Sequence, residues 1–270
     1  MTGTSVAAVE EVGRFSIGGI EYTGALLLQC WQSLRGIKAI NPFALHPLRW
    51  QNAVEEMVAA GVGALPIVAL TAFCSGLILA FQGGSELRKI GALELVIQLV
   101  AIGITREAGP LITAIAVSGR SGSAFAAEIG AMAFTEEVNV LKTMALDPIQ
   151  VLVSPKFLAL LVVMPCLTVV ADLAGILAGG WFAYSTVGTN LFLYMRAALD
   201  SLYVRDILSG LFKSIVFATL ITQVGCLHGF RVRGSPKDVG RAATSAVVRA
   251  FFLVILADLL FTALFYVVWR

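Results

Sequence analysis

Apolar residues run along this chain in long blocks separated by short polar intervals, and that rhythm sets the elements. Residues 57–85 carry no charge and exceed the about 20 residues that a helix needs to cross a hydrocarbon core. Four further apolar blocks follow, at 95–125, 157–187, 207–229 and 246–269. Blocks of this length predict five membrane-spanning helices, because a helix satisfies its own backbone polar groups where no water can. Pro66 and several glycines lie in the first block, so a kink is expected there. A few charges interrupt the others: Arg106, Glu107 and Arg120 in the second, Asp172 in the third, Lys213 in the fourth, Arg249 and Asp258 in the fifth.

Residues 15–34 are apolar but broken by Glu21, Gln29 and Gln32. They predict a helix lying along the membrane surface, with a sixth span as the alternative. Asn41–Pro42 and His46–Pro47 separate this helix from the first span. The organisation is therefore an N-terminal interfacial region, 1–50, and one membrane domain, 51–270. Lys and Arg orient it. Arg14, Arg35, Lys38, Arg49, Arg120, Lys142, Lys156 and the basic stretch from Arg231 to Arg249 fall on one side, with Arg88, Lys89, Arg196, Arg205 and Arg270 on the other. The excess predicts a cytoplasmic N-terminus and, after five spans, a C-terminus on the far side. Residues 188–206, rich in apolar and aromatic side chains, are expected to rest on the outer membrane surface.

The interval between the second and third blocks is itself patterned. Phe134, Val138, Leu141 and Ala145 recur at helical spacing, Thr135 is a candidate N-cap, and Glu136 and Glu137 suit a first turn. Asp147–Pro148 ends the pattern. The sequence predicts a short aqueous-side helix whose apolar face packs on this chain's own spans or sits in a groove of a partner. Force from a separate motor protein could enter the membrane part at such a helix.

Composition supports the same class: of 270 residues, 58% are hydrophobic and 13% charged, with mean hydropathy +0.88, where soluble domains carry about 25% charged residues. Glu10 and Glu11 precede any basic residue, unlike a secretory signal. Cys30, Cys74, Cys166 and Cys226 are scattered through apolar stretches and read as packing residues. No phosphate-binding GxxxxGK[ST] occurs, and Ser118–Ser123 reads as a close-packing segment. With only His46 and His228, neither a metal site nor a hydrolytic triad is indicated, and no basic-aromatic surface suits nucleic acid. The basic stretch 231–249 follows the positive-inside bias and invites contact with anionic lipid. The intramembrane charges matter most, since each is costly unless paired or facing a polar cavity. Arg106 with Glu107 and Lys213 with Asp258 balance in sign. They read either as structural ion pairs or as a polar site that meets a lipid headgroup.

Thr105–Pro110, Gly119–Ala124, Ala127–Gly130, Ala145–Pro148 with Ser154–Pro155, Lys213–Ala218 and Asp258–Leu264 together resemble the MlaE family, the permease subunits of ABC transporters that work with MCE proteins. The likeness covers nearly everything from about Trp50 onward. It implies an all-α membrane protein with five transmembrane helices, an N-terminal interfacial helix and a cytoplasmic coupling helix over 134–145. It also implies a homodimer, with no cofactor on this chain and with ATP and Mg on a partner ABC ATPase; members occur in bacteria and plastids, and the lack of a transit-like N-terminal pattern favours a bacterial inner membrane here. An MCE hexamer on the outer side, a STAS-domain protein beside the ATPase in some members, and a phospholipid or related substrate complete the implied assembly. Carried over by position, Arg106, Glu107, Lys213 and Asp258 match charged cavity residues, and Leu79, Phe81, Leu87 and Ile90 the lipid-contacting part of the first span. Phe134, Glu136, Glu137, Val138, Leu141 and Lys142 match the ATPase-coupling helix. The chain departs from the pattern after Gln82–Gly83, where Glu86, Arg88 and Lys89 replace a more apolar stretch. A proton-coupled carrier using Glu107 and Asp258, or a membrane scaffold for the MCE assembly, are the rival readings.

Overall fold

A computed structural model of the chain describes residues 2–39 and 47–268, with side chains for 18–36, 50–186 and 188–268. The Asn41–Pro42 break and Arg270 lie outside the described residues, as do the side chains of Arg14, Lys38 and Arg49. The described elements are helices: α1 Thr2–Ala39, α2 Pro47–Lys89, α3 Leu95–Phe134, α4 Glu137–Thr143, α5 Ile149–Thr186, α6 Leu191–Ser201, α7 Val204–Phe230 and α8 Pro236–Val268. Five of them, α2, α3, α5, α7 and α8, are long and apolar enough to cross a membrane. α1 is not among these five, although it runs well beyond the predicted 15–34. The spans also extend past the predicted blocks, because polar first and last turns continue the helix outside the apolar core.

Local chemistry explains where the helices begin and end. Gly91, Gly188 and Gly234 adopt positive φ in the turns after α2, α5 and α7, a conformation that costs glycine little. Arg88 and Lys89 stand in the last turn of α2, where a helix dipole favours cations. The Asp206 carboxylate accepts the Tyr203 N–H at 3.1 Å and starts α7. Asp238 accepts from the Ser235 N–H and hydroxyl at 3.1 and 3.0 Å at the start of α8. Asn190 caps α6 by accepting the Phe192 N–H at 3.0 Å.

Small residues set how the spans pack. α2 and α5 run against each other, and α7 lies against α3, α5 and α8. A Cβ on Gly76 would strike the backbone of Gly175, so α2 and α5 cross backbone to backbone. α3 is widened by π-helical turns at Ile104–Ala108 and Ser118–Gly122. Gly210 of α7 abuts the Thr105 carbonyl in the first turn, and Gly225 abuts the Gly122 carbonyl in the second. Two glycines on one helix thus receive the two bulges of another. Gly122 packs on Ile221, but Gly119 faces open space, so the expectation of close packing holds for only one of these glycines.

The central core joins Val68, Leu160, Met164, Phe217 and Ile221. A second cluster, Ala80, Val96, Val100, Ile104 and Phe182, lies toward the other end. Tyr194 of α6 is buried over Gly179 and Gly180, while Phe192, Leu193 and Leu199 face outward. α6 therefore presents an apolar outer face, as expected for 188–206. The four cysteines are free, and Cys74 and Cys166 are exposed on the spans; of the four, Cys226 alone is a fully buried packing residue. α8 turns Phe252, Ile255, Leu259, Leu260 and Leu264 outward.

Candidate functional site

The deepest polar constellation gathers on α3, α7 and α8. Lys213 is fully buried, and its Nζ lies 2.6 Å from Glu107 Oε2, 2.8 Å from Asp258 Oδ1 and 3.0 Å from Thr262 Oγ1. The Thr262 hydroxyl bridges to Glu107, 3.1 Å from Oε2, and lies 2.8 Å from its own helix at the Asp258 carbonyl. One ammonium thus serves two carboxylates and a hydroxyl, using the three donors it has. Glu107 remains 37% exposed while Asp258 is 15% exposed, so the cluster opens on the Glu107 side.

The charges that balance in sign pair between helices. Arg106 places its Nη1 3.9 Å from Asp206 Oδ1 at the start of α7, while Glu107 turns to Lys213. Neighbours on a helix project about 100° apart, so adjacent charges on α3 reach different partners. Lys213 takes Asp258 as expected, and Glu107 as well. Sequence reasoning missed Asp206 and Thr262. Asp206 could have been found as an acid in the first turn of an apolar helix. Asp172, the weaker intramembrane charge, sits against Gly109, and its Oδ1 finds no hydrogen-bond partner among the described residues.

A second buried cation lies near the α4 end. Lys156 of α5 is 3% exposed and contacts both Glu56 of α2 and Glu128 of α3, the latter at 2.7 Å. Its ammonium also sits 4.9 Å from the Phe125 ring centre. Three helix ends are thereby tied through one side chain. The sequence reading placed Lys156 only among the basic residues of that side. The signal was one Lys and two Glu at the same-side ends of three apolar blocks. Arg120 donates to the Ala59 carbonyl at 2.9 Å across α2, filling the space over Gly63.

α4 is shorter than the predicted 134–145, and its entry differs. Glu136, not Thr135, occupies the N-cap position, in the left-handed conformation with φ 64°. Thr135 instead turns its hydroxyl back to the Ala131 carbonyl and to Glu137. Glu137 alone stands in the first turn, and Asn139 donates to Glu136. Val138 is buried and Leu141 partly so, whereas Phe134, at the end of α3, and Lys142 are exposed. Val140 and Met144 add exposed apolar surface. Beside α4 a cavity of about 930 Å³ opens between it, α1 and the end of α7, with Gln29, Gln32, Phe134, Asn139, Lys142 and Arg233 on its walls. α1 is held there by Gln29, which donates to the Gln223 carbonyl at 3.3 Å, and by Ser154, which donates to the Ser33 carbonyl at 3.2 Å.

At the opposite end of α2, the four residues matched to lipid contact divide. Leu79 and Leu87 turn inward onto the cluster around Val96 and Phe182. Phe81 and Ile90 face outward, and Phe81 meets Phe182 edge-on at 5.0 Å.

Residues 53–264 match the permease MlaE family. A probable ABC transporter permease protein of Rickettsia prowazekii is 35% identical over 87% of this chain and 90% of its own length. The intermembrane phospholipid transport system permease protein MlaE of Haemophilus influenzae is 32% identical, covering 79% of this chain and 82% of its own. The chloroplastic protein trigalactosyldiacylglycerol 1 of Arabidopsis thaliana is 31% identical over 81% of this chain, which spans 63% of that protein. The match runs through all five spans, α4 and both lysine clusters, and with it the chain is a multi-pass ABC transporter permease that belongs to the MlaE family.

Proposed function

We propose that this permease moves phospholipid, or a related lipid, between the inner and outer membranes of a bacterium, powered by a separate ABC ATPase and working with an MCE protein. The observation that carries the reading is continuity: α3 holds Glu107 of the buried lysine cluster and leads directly into α4. The named activity of the Haemophilus relative supports the substrate class. In this reading two copies form a homodimer in the inner membrane, with the N-terminus cytoplasmic and the C-terminus periplasmic. The ATPase, which holds ATP and Mg, docks against α4 through Phe134, Glu136, Glu137, Leu141 and Lys142, with Val138 anchoring the helix to this chain's own spans. An MCE hexamer covers the opposite face.

The mechanism follows from which groups can move. ATP-driven closure pushes on α4; α3 and α5, which flank it, transmit the displacement past the Lys156 tie. Lipid acyl chains are held by non-directional apolar contact around Phe81 and Ile90, with Leu79 and Leu87 shaping the wall behind them. Arg106, part-exposed beside the cluster, meets the headgroup, because a cation attracts phosphate, while Glu107 and Asp258 hold Lys213 in place behind it. The proton-carrier rival is disfavoured because Glu107 and Asp258 are already committed to Lys213 and Thr262. The test is transfer of labelled phospholipid from vesicles holding the permease and its ATPase. Transfer should require ATP and be lost in Lys213→Ala, whereas transfer that persists without ATP would overturn the reading.

A further inference from the structure

One basic cluster remains outside the groups engaged so far. Arg231, in the turn after α7, and Arg249, on α8, place their guanidinium carbons 5.3 and 5.0 Å from the centre of the Tyr22 ring of α1. The His228 ring stands 6.1 Å from the same ring, 7% exposed, with an Nε2 that has no hydrogen-bond partner among the described residues. Among the described residues neither arginine has a carboxylate partner, whereas Arg106, Lys156 and Lys213 all do. Two guanidinium groups gathered on one ring repel each other, and an aromatic face supplies only part of a counter-charge. Burial raises the Tyr22 phenol above its ordinary range despite the two arginines, so the ring is a neutral brace and not the missing anion.

Position identifies the class of anion. Arg231 follows a stretch, 214–230, without Asp, Glu, Lys or Arg, and Arg249 precedes the uncharged 250–257. Both therefore stand where the apolar spans give way to polar surface. α1 runs past the site with Ile20, Leu27 and Leu28 exposed, as in a helix seated in a membrane interface. Phosphate groups of lipids lie at this depth, and paired guanidinium groups match phosphate oxygens in charge and geometry.

We propose that Arg231 and Arg249, braced on Tyr22, form a binding site for a phosphate group at the membrane surface on the α4 side of the bundle. Neutral His228, in the tautomer that carries its hydrogen on Nε2, adds a donor beside them. The depth of the site favours a phospholipid headgroup over free phosphate. The site lies at the other end of α7 from Asp206 and Lys213 and does not rest on the transport reading.

The experiment uses the full chain in nanodiscs of phosphatidylcholine doped with phosphatidylglycerol, followed by native mass spectrometry of the lipid retained after extraction. The wild type should retain phosphatidylglycerol in preference to phosphatidylcholine. Arg231→Gln/Arg249→Gln should lower that retention at least about tenfold, as expected for loss of charge-assisted bonds. Arg241→Gln, a basic residue of α8 paired with Asp238, should leave it unchanged. Tyr22→Leu removes the brace while keeping both charges, and should weaken retention even if the double variant fails to fold. Displacement of the lipid by excess inorganic phosphate, with phosphate bound in its place, would support the site with free phosphate as its source. Retention of phosphatidylglycerol and of phosphate at wild-type levels in a folded double variant, or in Tyr22→Leu if the double variant does not fold, would overturn the proposal.

Discussion

Lys213 and Lys156 show what a single side chain does in this bundle. Each is a buried ammonium answered by two carboxylates from two other helices. Removing one member of a buried ion pair strands the other charge, at a cost of about 3–5 kcal/mol. Lys213→Met and Lys156→Met should each lower unfolding stability in detergent by that order. Because several turns of α3 separate Glu107 of one cluster from Glu128 of the other, their effects should add; strong non-additivity in a double-mutant cycle would show that the clusters communicate. Ala145 offers a change in the other direction. It holds φ 57° after α4, where a Cβ is strained, so Ala145→Gly should stabilise by about 0.5–1 kcal/mol net of glycine's entropy cost. An unchanged or lowered thermal midpoint would count against strain at this position.

At the scale of elements, glycine position decides which helices can touch. Gly76 and Gly210 face backbone of α5 and α3, so Gly76→Val or Gly210→Val should force the pairs apart, with loss of more than about 1–3 kcal/mol or failure to assemble. Gly119, in the same kind of small-residue segment, has open space around it, and Gly119→Ala should be tolerated or stabilise by up to about 1 kcal/mol. Equal effects at the three positions, measured by thermal stability of purified protein, would contradict this packing. In the proposed reading α4 is the element that meets the partner ATPase. Glu136→Lys/Glu137→Lys should reduce capture of the partner ATPase while the permease still inserts; normal pull-down by that variant would remove α4 from the coupling role. The apolar rhythm alone announced these helices. It did not announce that α3 widens twice, because a π-helical turn leaves no mark on hydropathy.

For the whole molecule, the arrangement makes a topological prediction. Lys142 and the α4 surface belong to one end of the bundle, Arg88 and Lys89 to the other. Single cysteines introduced at Lys142 and Arg88, in a background lacking the four native ones, should react with impermeant reagents from opposite sides of the membrane. Lys142 is expected on the cytoplasmic side, and labelling of both from one side would refute the five-span topology. The outward apolar residues of α8 complete the picture, since its most apolar window is only 6% buried within the chain. Such a face is at rest in lipid or against another apolar surface, and it would be unstable in water.

The order of apolar blocks, the short helix between the second and third spans, and the family motifs were all legible in the sequence. These depend on local periodicity and on the length needed to cross a bilayer, both properties of contiguous residues. Which charges meet was not legible. Arg106 and Glu107 are neighbours in the chain yet turn to Asp206 and to Lys213, and Lys156 ties helices whose other members are Glu56 and Glu128. Tyr22 comes to rest between Arg231 and Arg249, more than two hundred positions away in the chain. Burial in an apolar bundle forces each charge to find a partner, but helix rotation and glycine-set crossing points choose which partner it finds, and those exist only in the packed molecule.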